Sequence, residues 1–224
     1  MSFPRICVAG IDPGTRKHVR PTTTPTDPIT RKLLRKRGGP FGMAAVVDLG
    51  VVVPEPTPPE TEDHRCKVTE VRHVEEMAGE EFLQMLDEVS ALDIACAFGP
   101  ALERVGWKYA VEVGRGECSL AVIRARKQLE LAVSEQFGRL QLRLNDVDPP
   151  TYLPVTDVRF YEADQETIKT ALVDDVNRRL KRGVDAFLML GLARAYRASN
   201  DDRDRHWLQL NGLCLVDRPT DDLP

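Results

Sequence analysis

The chain has 224 residues, of which 42% are hydrophobic and 29% are charged. These proportions allow the core of one domain with additions, and they exclude a membrane bundle because no run approaches about 20 apolar residues. Five cysteines without a CxxC pair argue against a disulfide framework or a zinc knuckle and fit a reducing cytosol.

The formal net charge of −4 is unevenly distributed along the chain. Residues 15–41 carry eight basic side chains against one acid, a net charge of +7, which leaves −11 on the rest. The proline- and threonine-rich beginning of this segment is incompatible with a helix or a central strand. We therefore predict a basic inserted loop at 15–41, and a stiff, proline-rich loop at 54–64.

Hydrophobic patterning predicts strands and helices in alternation. The predicted strands are 6–11, 42–48, 66–74, 107–113 and 158–163, and the predicted helices begin at 80, 118, 166 and 184. This order indicates an α/β fold, with a mixed five-stranded sheet flanked by helices on both faces. The predicted domain covers 1–198, and an acidic C-terminal tail follows at 199–224.

Three carboxylates occupy the ends of predicted elements. Asp12 closes the first strand, Glu112 closes the fourth, and Asp185 begins the final helix. If the two strands are parallel neighbours, the three acids converge on a site that suits Mg²⁺, which prefers oxygen ligands. Each acid alone also has a plainer interpretation: a turn residue, a helix cap or partner of Arg115, and an acid favoured at a helix N-terminus.

Several short motifs occur in a fixed order along the chain. They are G-I-D-P-G at 10–14, the small and apolar strand from Gly42, Y-A-V-E at 109–112, Ala125-Arg126, and Asp185-Ala186 followed by aliphatic residues. This ordered set resembles the RuvC-type Holliday-junction resolvases, which are RNase H-like nucleases. The resemblance covers roughly residues 6–14 and 42–196.

The resemblance implies a function and a site. Asp12, Glu112 and Asp185 would be the catalytic ligands of two Mg²⁺ ions, for which Mn²⁺ could substitute, and a metal-bound water would attack the scissile phosphate. The protein would be a structure-selective, Mg-dependent endodeoxyribonuclease that resolves four-way junctions in DNA recombination and repair. A homodimer is expected because such a junction has two symmetric cleavage sites. The expected location is cytoplasmic and nucleoid-associated, with a viral or mobile-element origin left open.

A basic surface is predicted to hold the branched DNA. The inserted loop would overhang the site, since it directly follows Asp12, and each phosphate that it neutralises would steepen the salt dependence of binding. A floppy, solvated loop with no partner is the alternative. The predicted DNA-binding residues are Arg31, Lys32, Arg35, Lys36, Arg37, Arg115, Arg126 and Arg182.

Two other functions remain open at this stage. Arg182 stands where the resolvase family usually has a further acid or histidine, and this favours an RNase H-like protein that binds branched nucleic acid without cutting it. The other alternative is an RNase H-like nuclease that acts on RNA or on an RNA–DNA hybrid. A labelled four-way junction with a divalent-ion titration would separate cutting from binding.

Overall fold

A computed structural model describes residues 5–125, 129–145, 150–198 and 201–219. Within these ranges the chain is mainly β. The helices are α1 (Gly79–Val89), α2 (Ile94–Phe98) and α3 (Thr170–Lys181). The strands are β1 (Gly10–Ile11), β2 (His18–Thr22), β3 (Ala45–Asp48), β4 (Val53–Pro54), β5 (Asp63–Arg65), β6 (Arg72–Glu76), β7 (Ser90–Ala91), β8 (Leu102–Val105), β9 (Lys108–Glu112), β10 (Leu120–Ala125), β11 (Leu129–Val133), β12 (Leu140–Leu144), β13 (Thr151–Pro154), β14 (Ala186–Leu192), β15 (Tyr196–Arg197) and β16 (Asp204–Leu215).

The second half of the chain forms a closed ring of strands. β11 pairs with β12 and β12 with β13, both antiparallel. A parallel bridge joins Val155, directly after β13, to Leu210 of β16. β16 pairs with β14, and β14 pairs with β10, which leads along the chain to β11. α3 connects β13 to β14 and packs on β11. With β10 and β11, which flank residues 126–128, numbered together as the first strand, the ring order is 1-2-3-5-4, the Greek-key barrel of the OB fold.

The strands at the centre of the barrel are apolar throughout because both of their faces are buried. In β10, Ala121 and Ile123 face the main core, whereas Val122 faces a second core beneath α1. β14 divides in the same way, with Leu188 in the main core and Phe187 in the second. The sequence of a strand that is covered on both faces is a nearly continuous apolar run, without the alternation of apolar and polar residues of a half-exposed strand.

The first half of the chain forms smaller sheets around the barrel. One sheet has the order β1-β2-β5-β4, and a two-stranded sheet pairs β3 with β6. β8 and β9 extend the barrel sheet, because β9 pairs with the first residues of β16. The amphipathic helix α1 buries Phe82, Met85 and Leu86 against the second core. The segment that the sequence places in a C-terminal tail therefore supplies β16, between β14 and β9.

The predicted α/β fold, an RNase H-like five-stranded sheet with helices on both faces, is wrong. Residues predicted as a helix from 118 to 137 form β10 and β11, and those predicted as a helix from 184 to 196 contain β14. A short apolar run is compatible with a buried helix and with a buried strand. Here the runs form strands because they pair with strands far away in the sequence. Likewise, residues 158–160, predicted as the start of a strand, form a 3₁₀ turn.

Other predicted elements are confirmed. α1 and α3 lie where the helical periodicity placed them, and β9 lies within the predicted strand 107–113. The basic segment 15–41 differs from the expected loop, because it contains two 3₁₀ turns, 31–33 and 35–37, and the strand β2, which includes Pro21 and lies between β1 and β5. No helix in the parts of the chain that the structure describes is long and apolar enough to cross a membrane.

Candidate nucleic-acid interface

The three acids predicted to share metal ions have separate partners. Asp12 lies in the turn after β1, where its Oδ1 accepts hydrogen bonds from the backbone N–H groups of Gly14 (2.8 Å) and Thr15 (3.0 Å). These bonds, that of Thr15 first, lower the pKa of Asp12. Asp12 is therefore a turn residue, the plainer of its two sequence interpretations.

Glu112 and Asp185 lie at opposite ends of β16. Glu112 is opposite Arg205 near the start of that strand, whereas the Asp185 carbonyl accepts from Val216 just beyond its end. Ten residues of extended strand span roughly 30 Å, so the two carboxylates cannot share an ion. Among the described residues, no group of three or more His, Cys, Asp or Glu side chains could hold a metal. The predicted metal-binding site is wrong for this geometric reason, whereas a requirement for Mg²⁺, or Mn²⁺ in its place, stays a prediction.

Each of these two acids is instead paired with arginine. Glu112 contacts Arg203 and lies 3.9 Å from Arg205. Asp185 Oδ2 lies 3.1 Å from Arg124 Nη2, and Arg124 also binds Asp87. These pairs neutralise the carboxylates that would otherwise be free to bind a cation.

The residues predicted to bind DNA are dispersed. Arg31 is buried, and its Nη1 donates to the Glu162 carbonyl (2.7 Å), which anchors the basic loop to the barrel. Arg35 pairs with Glu76 at 2.8 Å. The exposed members are Lys32, Lys36, Arg37, Arg115 and Arg182. Arg126 lies outside the described residues. Contact of these side chains with DNA stays a prediction.

A different set of side chains gathers on the barrel. In β12 and β13, buried leucines alternate with side chains that point away from the core. Arg143 of β12 and Tyr152 of β13 are two of these outward side chains, and they lie directly opposite each other. The Arg143 guanidinium lies 6.0 Å from the Tyr152 ring centroid, a cation–π distance. Glu130 lies 4.0 Å from Arg143, so this charge is partly compensated.

Two loops border these strands. The loop 134–139, between β11 and β12, carries Phe137, which is 61% exposed, and Arg139. The loop 193–203 joins β14 to β16. Its described residues, 193–198 and 201–203, include the short strand β15 and carry Tyr196, which is 48% exposed. The positive charge of Arg139 acts on the Tyr196 hydroxyl across the two loops: burial raises the pKa of Tyr196, and Arg139 offsets part of that rise.

Tyr196 contacts the buried Trp207 through both its ring and its backbone. Its ring centroid lies 6.3 Å from that of Trp207, and its carbonyl accepts a hydrogen bond from Trp207 Nε1 at 3.3 Å. Lys108, on β9, places its Nζ 5.7 Å from the centroid of the Trp207 ring. The neighbouring Trp107 is 59% exposed and accepts, through its carbonyl, from the Tyr152 N–H at 3.3 Å. We call the exposed set the aromatic surface: Trp107, Phe137, Arg139, Arg143, Tyr152, Tyr196 and Arg197.

Sequence reasoning missed the aromatic surface. The alternation L-Q-L-R-L at 140–144 is a strand signal that places Arg143 outward, and it lies just beyond the helix wrongly predicted to end at 137. Tyr196 was placed at the end of a second wrongly predicted helix. If both runs had been predicted as strands, the residues that follow each run would have been predicted as loops of a barrel.

The comparisons with known proteins agree with the barrel. The family model described as dual OB-containing domain matches residues 3–213. No curated protein and no solved structure matches. The match overturns the resemblance to RuvC-type resolvases, and with it the prediction of a four-way-junction nuclease. The short motifs behind that resemblance lie in elements of another fold: D-P-G is a turn, and Asp185-Ala186 opens a strand rather than a helix.

Proposed function

The chain belongs to the dual OB-containing domain family, and we propose that it binds single-stranded nucleic acid through its aromatic surface. OB-fold barrels bind oligonucleotides on the face of their second and third strands and on the loops between strands 1–2 and 4–5. In this chain those positions are β12–β13, the loop 134–139 and the loop 193–203. The proposal is carried by one observation, the meeting of exposed aromatic rings and arginines at these three places.

The chemistry of the aromatic surface suits unpaired bases. Every base has a face that stacks on an aromatic ring, worth about 1–3 kcal/mol per base, and such stacking requires bases free of their own duplex partners. Tyr196 and Phe137 offer exposed rings on the two loops. Arg139 and Arg143 provide positive charge beside them for the phosphate backbone, in a protein whose net charge is negative.

Fluorescence anisotropy with labelled oligo-dT and oligo-U tests the proposal. Tyr196→Ala removes one stacking ring, so we expect about 5- to 150-fold weaker binding. Tyr196→Phe keeps the ring and should bind nearly as the unaltered chain does. Comparable affinity of Tyr196→Ala and the unaltered chain for both oligomers would refute the assignment of the surface.

A charge control separates specific contact from general attraction. Arg143→Gln should weaken binding and reduce the slope of log affinity against log salt by about 0.7, the contribution of one phosphate contact on a single strand. Arg72→Gln removes the same charge from exposed β6, in the two-stranded sheet, and should leave that slope unchanged. Equal slopes for the two variants would show that the surface attracts nucleic acid only through overall charge.

A further inference from the structure

The loop 193–203 carries a cation that turns away from the aromatic surface. Arg194 Nη2 lies 2.5 Å from Asp63 Oδ2, and Arg194 Nη1 lies 3.2 Å from Glu60 Oε1. Both carboxylates are buried and belong to the N-terminal part of the chain, Asp63 as the first residue of β5. Asp63 is also paired at 2.5 Å with the buried Arg20 of β2.

His206 makes a second contact with the same loop and lies close to one of the same acids, Glu60. His206 is buried, and its Nδ1 donates to the Ala193 carbonyl at 3.0 Å. The same nitrogen lies 3.4 Å from Glu60 Oε1. The backbone before Arg194 and the side chain of Arg194 are thus both held at Glu60, two residues before the exposed ring of Tyr196.

These contacts cross between two parts of the fold. Glu60 and Asp63 belong to the segment around β5, whereas Arg194 and His206 flank the loop of the barrel. An ordered loop loses less conformational entropy when a ligand binds, so fixing it beforehand raises affinity without adding a contact to the ligand. Both acids that receive Arg194 are buried, and Asp63 is already held by Arg20.

We propose that Arg194 is a positioning residue, which holds residues 193–198 of the loop in their binding conformation by pairing with Glu60 and Asp63. The N-terminal sheet thereby sets the affinity of the barrel surface. The inference rests on the proposed function for the effect on affinity, whereas the effect on the loop stands on the contacts of Arg194 alone.

The test uses Trp207 as an internal reporter. The chain has two tryptophans, so Trp107→Phe leaves Trp207, which contacts Tyr196 of the loop. We compare the emission of Arg194→Met, Arg194→Lys and Arg72→Met in this background, and because Trp107 belongs to the aromatic surface, we measure oligo-dT binding for the same three substitutions in the otherwise unaltered chain as well. We expect Arg194→Met to shift the emission of Trp207 and to weaken binding of oligo-dT by about five-fold or more. Arg194→Lys keeps a cation and should restore part of both, and Arg72→Met should change neither.

The outcomes are distinguishable. Unchanged Trp207 emission in Arg194→Met overturns the positioning role, whether or not the affinity for oligo-dT falls. A fall in affinity without a change in emission would mean that Arg194 contacts the phosphates directly. Shifted emission with unchanged affinity overturns the control of affinity and leaves the proposed function standing. If the Trp107→Phe parent and the unaltered chain both fail to bind oligo-dT and oligo-U, the proposed function fails, and the emission still decides whether Arg194 holds the loop.

Discussion

Glu62 offers a sharp test of how the N-terminal segment is joined to the barrel. Its side chain is buried, and its Oε1 accepts hydrogen bonds from the backbone N–H groups of Ser119 (2.8 Å) and Leu120 (3.0 Å). Oε2 accepts from the Ser119 hydroxyl at 2.9 Å. One carboxylate therefore accepts from three donors at the beginning of β10.

The magnitude follows from the donors left behind. In Glu62→Ala two buried N–H groups lose their acceptor, at about 1–3 kcal/mol each, and the hydroxyl loses one bond worth about 1 kcal/mol. The free energy of unfolding should therefore fall by about 3–7 kcal/mol. Glu62→Gln keeps an oxygen for the two N–H groups and an amide for the Ser119 hydroxyl, so it loses only the charge assistance, about 1–3 kcal/mol.

Urea denaturation followed by circular dichroism measures both values. For a chain of this size, about 1 kcal/mol corresponds to roughly 2–4 °C in Tm, so Glu62→Ala should melt roughly 6 °C or more below the unaltered protein. Ser119→Ala, which removes one hydroxyl, should cost about 1 kcal/mol. A loss below about 1 kcal/mol for Glu62→Ala, or equal losses for the alanine and glutamine variants, would refute the role of the carboxylate as acceptor.

Two further predictions concern stability. Leu188 is 0% exposed at the centre of β14, so Leu188→Ala should lower the free energy of unfolding by about 2–5 kcal/mol in urea titrations; a loss under 1 kcal/mol would contradict its place in the core. Burial lowers the pKa of His18, and the charge of Glu62 opposes this only in part. The unfolded chain then binds the proton more readily, so stability should fall as pH drops below about 6.5; His18→Gln should flatten that fall, and an unchanged pH profile would count against it.

The helices show what periodicity can predict. α1 and α3 are amphipathic, and each packs on one side only. The helical spacing of Phe82, Met85 and Leu86 in the sequence therefore marks the residues that α1 buries. β10 and β14 carry no such signal, because burial of both faces removes the polar side that would distinguish a strand from a helix.

The site was unpredictable for a related reason. Convergence of Asp12, Glu112 and Asp185 required strands 6–11 and 107–113 to be parallel neighbours. In the fold β1 pairs with β2 while β9 pairs with β8 and β16. Pairing partners are set by contacts across long stretches of chain, which local pattern does not encode. The aromatic surface depends on the same pairings, since its loops come together only when β16 lies between β13 and β14.

The position of β14 has a consequence for synthesis of the protein. Its seven residues, A-F-L-M-L-G-L, are bonded along both edges, to β10 and to β16. On the ribosome, β16 is completed about 30 residues after β14 begins, a delay of roughly 1.5–6 s at usual rates of translation. During that interval one edge of a very apolar strand stays open, and an open edge of this kind pairs readily with another nascent chain. Yield in the cell should therefore depend on chaperones that shield the strand until its last neighbour arrives.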